Sequence, residues 1–79
     1  MDDKYTIYTT RTCPFCILAK NALSERKQSF EEIDVTEDSA LRDALVLKSG
    51  GRRTVPQIFK NGTHVGGYED LMNLLNDSF

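Results

Sequence analysis

The sequence predicts a small α/β fold in the order β-α-β-α-β-β-α, with one mixed four-stranded sheet flanked by three helices. Three observations carry that prediction. Strand-like and helix-like runs alternate through the first half, which calls for parallel strands joined by right-handed helical crossovers. Asn61-Gly62 stands between two β-like runs and marks a hairpin, hence a local antiparallel pair. The chain has 79 residues, 39% of them apolar. That suffices for one thin core, so a single domain over residues 1–79 is expected.

Each element has its own signal. Residues 4–9 contain Tyr5, Thr6, Ile7 and Tyr8, all β-favouring, and their apolar character falls on both faces, as in a strand covered on both sides. Residues 12–16 form the turn into a first helix, read over residues 17–26. Pro14 suits a first helical position, where a missing N–H costs nothing. Leu18, Ala19, Ala22 and Leu23 recur at helical spacing, and the polar run from Ser24 to Gln28 ends the helix. Residues 29–35 alternate Phe30, Ile33 and Val35 with acids and read as a second strand.

Thr36-Glu37-Asp38-Ser39 offers N-cap candidates for a second helix. Its stripe is Leu41, Ala44, Leu45 and Lys48, and Gly50-Gly51 stops it. Residues 55–60 read as a third strand and residues 63–65 as a short fourth. Gly66-Gly67 breaks the pattern. Glu69 or Asp70 serves the N-terminus of a last helix with Leu71, Leu74 and Leu75 on its apolar face. Tyr5, Tyr8, Phe30, Ile33 and Phe59 are core or near-core candidates.

Charge and composition exclude several classes. Ten basic against twelve acidic side chains give a formal charge of −2, which argues against a nucleic-acid binder. The acidic start Met1-Asp2-Asp3-Lys4 is followed by no long apolar stretch, so neither signal peptide nor membrane span is expected. The expected location is the cytoplasm, where a cysteine pair is more often catalytic or metal-binding than structural.

The two cysteines lie in one cluster, Cys13-Pro14-Phe15-Cys16. A bridge between them closes too small a loop to constrain the unfolded chain. Their place at a helix start matters more. A thiol there meets unpaired backbone N–H groups and the positive end of the helix dipole, both of which favour the thiolate that attacks disulfides. The second thiol is about one turn away. The cluster reads as a dithiol switch in which one sulfur attacks and the other resolves. A zinc site would want four N/S ligands. The chain offers these two cysteines and one histidine, His64, so no metal site is expected. A cysteine–histidine hydrolase would need His64 beside Cys13 and an oxyanion hole. His64 reads instead as a surface residue, and Lys20 as a solvated helix residue that could add positive potential.

Cys13-Pro14-Phe15-Cys16, then Thr54-Val55-Pro56-Gln57-Ile58-Phe59, then Gly66-Gly67-Tyr68-Glu69-Asp70-Leu71 resemble the three signatures of the dithiol glutaredoxins. They stand in that family's order and spacing over nearly the whole chain. The resemblance implies a thioredoxin-like fold, in agreement with the element order above. Cys13, just outside the helix, is the expected nucleophile. Cys16, inside the first turn, is the expected resolving thiol and the more buried one. Phe15 replaces the family's commoner tyrosine.

The resemblance also implies a cis Val55-Pro56 bond opposite the cysteines, in a Thr54-Val55-Pro56 turn whose main chain pairs with a peptide-like substrate. Gly67 lets the backbone approach a ligand. The Tyr68 and Glu69 N–H groups form a carboxylate site, and Asp70 supplies an anion for an ammonium. Together these match the γ-glutamyl end of glutathione. One departure matters. Many glutaredoxins carry a lysine three residues before the first cysteine, where this chain has Thr10. Arg11 or Arg53 is expected to supply the missing charge. Otherwise glutathione binds weakly and a protein disulfide is the substrate.

The expected activity is glutathione-disulfide oxidoreduction on glutathionylated proteins and small protein disulfides such as that of ribonucleotide reductase. Glutathione is the co-substrate, no cofactor is held permanently, and a monomer is expected. Two alternatives stand beside it: an electron donor reduced by thioredoxin reductase, and an iron–sulfur cluster carrier.

Overall fold

The computed structural model describes residues 3–52 and 54–76. The elements are β1 (Tyr5–Thr9), α1 (Pro14–Glu25), β2 (Phe30–Asp34), α2 (Ser39–Lys48), β3 (Gln57–Lys60), β4 (Thr63–Gly66) and α3 (Tyr68–Asn76). Their order is the predicted one. The sheet runs β2-β1-β3-β4. β1 is parallel to β2 and antiparallel to β3, and β3 and β4 form the antiparallel hairpin.

The two-sided character of β1 follows from its place inside the sheet. Tyr5 and Ile7 join Ala19, Ala22 and Leu23 of α1, Ile58 of β3, and Leu71 and Leu75 of α3 in one buried cluster. Tyr8 points the other way and packs with Val35, Leu45 of α2 and Phe59. Alternation along a strand sends neighbouring side chains to opposite faces, so α1 and α3 cover one face and α2 the other. Phe30 and Ile33 are only partly buried and pack against these clusters. β2 is an edge strand, and its exposed Glu31, Glu32 and Asp34 discourage further strand addition there.

The hairpin turn has the expected chemistry. Asn61 and Gly62 both take positive φ, 53° and 84°, as a two-residue hairpin loop requires. The Asn61 side chain and amide bind Lys4 N and O at 2.8 and 2.7 Å, tying the hairpin to the start of β1. Asp38 is the N-cap of α2, its carboxylate accepting the Leu41 N–H at 3.0 Å.

Several boundaries differ from the sequence reading for physical reasons. The helical run read from residue 17 is extended back to Pro14, the first helical position that proline suited, and the Cys13 sulfur caps it. β3 starts at Gln57, since Pro56 has no N–H to give a ladder, and the chain turns at the cis Val55-Pro56 bond. β4 extends to Gly66, which pairs with Ile58 across an irregularity between Ile58 and Phe59. Among the described residues, no helix is long and apolar enough to cross a membrane.

Candidate active site: a dithiol at the head of helix α1

Strand β1 ends at Thr9, and a short turn brings Cys13 to the start of α1. Cys13 keeps an extended backbone, and its sulfur accepts the Cys16 N–H at 3.2 Å. An N-cap position satisfies one of the orphan amides of the first turn. Here a sulfur does so where an oxygen is usual. Cys13 Sγ also lies 3.5 Å from the Val55 carbonyl oxygen, to which the thiol donates. The sulfur thus accepts from one backbone group and donates to another. Cys13 is partly exposed and Cys16 is buried, both as free thiols.

Cys16 is 1% exposed, and its thiol is pushed up to about 12. Burial away from water is the main cause. The hydrogen bond with the Cys13 side chain raises it further and the charge of Cys13 adds a smaller push, while a Thr10 backbone hydrogen bond and the Lys20 charge oppose. The two thiols three residues apart are thus unlike. One meets solvent beside a backbone N–H, and the other is held protonated inside the fold.

Beside the cysteines lies a groove of about 460 Å³, lined by Phe15, the Thr54-Val55-Pro56 turn, the Gly67–Asp70 segment and Arg52. That size is within the usual range for small-molecule sites. The Phe15 and Tyr68 rings meet across it, centroids 5.8 Å apart. Asp70 reaches back from the first turn of α3, and its Oδ2 accepts the Gly67 N–H at 3.0 Å, one half of a capping box. Arg52 Nη2 stands 3.8 Å from the same oxygen. The carboxylate is therefore fixed beside the helix N-terminus by the chain itself.

Eight of the expected contact residues come together in this groove: Phe15, Thr54, Val55, Pro56, Gly67, Tyr68, Glu69 and Asp70. Arg11 is not among its lining residues. Its guanidinium pairs with Asp34 at 3.7 Å and Glu37 at 3.3 Å, and its amide binds Thr36 Oγ1. Arg11 thus ties the turn before Cys13 to the loop after β2. Arg53 lies outside the described residues.

Arg52 is the cation that sequence reasoning did not choose. It stands in a loop with no periodic signal, and only the fold brings it to Asp70. Lys20 is tethered rather than freely solvated. Its Nζ is 2.9 Å from Glu32 Oε2, which also accepts the buried Thr9 hydroxyl at 2.8 Å. These donors, Lys20 foremost, hold the Glu32 carboxyl below its ordinary value. His64 is partly buried rather than a plain surface residue, and its Nε2 is 2.7 Å from Gln57 Oε1. Among the described residues, no group of three or more His, Cys, Asp and Glu is placed to hold a metal ion.

The sequence matches the glutaredoxin family model over residues 5–65. Glutaredoxin 1 of Rickettsia typhi is 47% identical over 72 residues, which cover 90% of this chain and 69% of that protein. The crystal structure of glutaredoxin 1 from Francisella tularensis, complexed with cacodylate, superposes with a TM-score of 0.81 at 29% identity, covering 95% of this chain and 94% of that one. A buckwheat glutaredoxin–glutathione complex gives 0.85 at 24% identity, covering 95% and 70%, a likeness of fold. The thioredoxin-like arrangement of sheet and helices is common to them. With its cysteine pair at the head of the first helix of that fold, the chain belongs to the glutaredoxin family and is a thiol–disulfide oxidoreductase.

Proposed function

We propose that the protein reduces protein–glutathione mixed disulfides and small protein disulfides with electrons from glutathione, Cys13 attacking and Cys16 resolving. One observation carries this reading. The partly exposed Cys13 sulfur sits at the Val55 carbonyl, and Val55 belongs to a groove that also contains the N-terminus of α3 and a fixed carboxylate. A zwitterionic γ-glutamyl group suits that groove. Its carboxylate meets the Tyr68 and Glu69 N–H groups, which have no partner within the first helical turn, and its ammonium meets Asp70. Arg52 takes the role expected above of Arg11 or Arg53 and serves the second carboxylate. The Val55 main chain pairs with the peptide backbone of the ligand.

In the first step the Cys13 thiolate attacks the glutathione sulfur of the mixed disulfide. The old S–S bond breaks, a Cys13–glutathione disulfide forms, and the protein thiol leaves and takes up a proton. A second glutathione thiolate then attacks the glutathione sulfur on Cys13, giving oxidised glutathione and free Cys13. With a protein disulfide, Cys16 instead attacks Cys13 Sγ and expels the substrate thiol, leaving a Cys13–Cys16 disulfide that two glutathiones reduce.

The acidity of Cys16 is linked to the first step. Two of the influences that keep it protonated, the hydrogen bond and the charge, come from Cys13 itself. Both change when Cys13 becomes part of a disulfide, so loading Cys13 eases the proton off Cys16. Glutathione is a co-substrate here and no resident cofactor takes part. The reducing cytoplasm is the matching compartment. The test is a pair of variants. Cys16→Ser is expected to keep turnover of a glutathionylated peptide and lose direct reduction of a protein disulfide. Cys13→Ser is expected to lose both, and activity retained in Cys13→Ser overturns the assignment.

A further inference from the structure

Gln57 opens β3 and is fully buried, at 0% exposure. A buried primary amide has two N–H donors and one carbonyl to satisfy. Nε2 donates to the Thr54 carbonyl at 3.0 Å and contacts the Thr54 hydroxyl oxygen at 3.3 Å. Oε1 faces His64 Nε2 at 2.7 Å. The Thr54 carbonyl only accepts, so the Gln57 nitrogen must point at it. Oε1 then points at His64, which must donate from Nε2. The network thus fixes both the amide orientation and the imidazole tautomer. His64 is itself seated on Phe59, ring centroids 5.1 Å apart, at the place where β4 pairs with β3.

The network reaches from the sheet to the groove. Thr54 and Val55 line the groove, and Val55 offers its carbonyl to Cys13. Pro56 has no N–H, so main-chain bonding is depleted where the chain turns. Gln57 supplies side-chain bonds to the residue three positions earlier, one to its carbonyl and one to its hydroxyl. We infer that Gln57, anchored by His64, is a positioning residue that sets the Thr54–Val55 main chain for pairing with a peptide-like disulfide substrate. The inference rests on the function proposed above. It assigns specificity for the peptide portion of the substrate to a group that never touches it.

The test separates substrate positioning from nucleophile reactivity. Steady-state kinetics on a glutathionylated peptide are measured beside the rate of Cys13 alkylation by iodoacetamide, a reagent too small to need the main-chain pairing. Gln57→Leu keeps the volume and removes the three polar contacts. KM is expected to rise about tenfold, with kcat within about twofold and the alkylation rate not lowered, the pattern of lost ground-state and transition-state binding alike. His64→Phe keeps the ring on Phe59 and removes the donor. It is expected to raise KM about threefold, and His64→Gln, which restores an N–H donor, to recover part of that rise.

An unchanged KM in a folded Gln57→Leu protein, or a KM rise matched by an equal loss of alkylation, overturns the inference. If Gln57→Leu does not fold, His64→Phe decides, and unchanged KM there overturns it. Wild-type turnover that survives Cys13→Ser would instead bring down the functional reading, and the inference with it.

Discussion

Replacing Gly66 with alanine should damage both the fold and the ligand groove. Gly66 has φ of +131°, and an added Cβ would stand 2.6 Å from Asp70 Cγ and 2.8 Å from Asp70 Cβ. Carbon–carbon contact begins near 3.5 Å, so the Asp70 side chain must leave. The backbone cost of a side chain at such a φ is about 1–3 kcal/mol. Moving Asp70 also breaks its 3.0 Å bond to the Gly67 N–H, an ion-assisted bond worth about 1.5 kcal/mol at a partly exposed site. The exposed Arg52–Asp70 pair adds little.

The sum is about 2.5–4.5 kcal/mol, and its middle value of about 3.5 kcal/mol lowers Tm by about 14–28 °C in a domain of this size. Thermal unfolding followed by circular dichroism measures it. KM for a glutathionylated peptide is expected to rise in the same variant at temperatures where it is still folded. Gly67→Ala is the control. The nearest atom to its added Cβ is the Pro56 carbonyl oxygen at 3.6 Å, an ordinary contact, so its stability should stay within about 0.5 kcal/mol of wild type. A Gly66→Ala protein that melts with the wild type would refute the reasoning.

Two further outcomes follow from the site. The Cys16 thiol rises from 9.0 to about 12 on folding. A group whose folded value is raised gives stability that is fully present below the unfolded value and is lost as pH climbs to the folded one. The window is therefore pH 9 to 12, and the full effect is about 4 kcal/mol. Lysines and tyrosines titrate there too, so the quantity to read is the difference in alkaline slope of urea stability between the reduced protein and Cys16→Ser, which should be flatter. The two arginines also separate. Arg11→Ala should leave KM for the glutathionylated peptide unchanged, because its partners are Asp34 and Glu37. Arg52→Ala should raise KM by about threefold to tenfold, the scale of one modest charged contact.

The order of elements and the cysteine switch were legible because each rests on local chemistry: alternating strands, a hairpin Asn-Gly, a proline at a helix start. What the sequence hid is set by tertiary approach. Arg52 carries no pattern and acquires meaning only when its loop reaches the start of α3. Arg11, next to the cysteine cluster in sequence, is drawn away by Asp34 and Glu37 across the turn. His64 stands alone in sequence, yet pairing of β4 with β3 brings it to a glutamine seven residues earlier. Helix α1 begins at Pro14, as that proline suggested, but the capping group is a sulfur, and cysteine is not among the residues read as caps. The turn at Val55 and Pro56 shortens β3 in a way that strand propensity alone does not register.

The asymmetry of the two thiols is tested most directly by limited alkylation of the fully reduced protein at neutral pH with a deficit of iodoacetamide, followed by peptide mapping. Cys13 is expected to carry the label while Cys16, sealed in the fold at 1% exposure, stays free. Equal labelling of the two cysteines, or modification of Cys16 ahead of Cys13, would contradict the account.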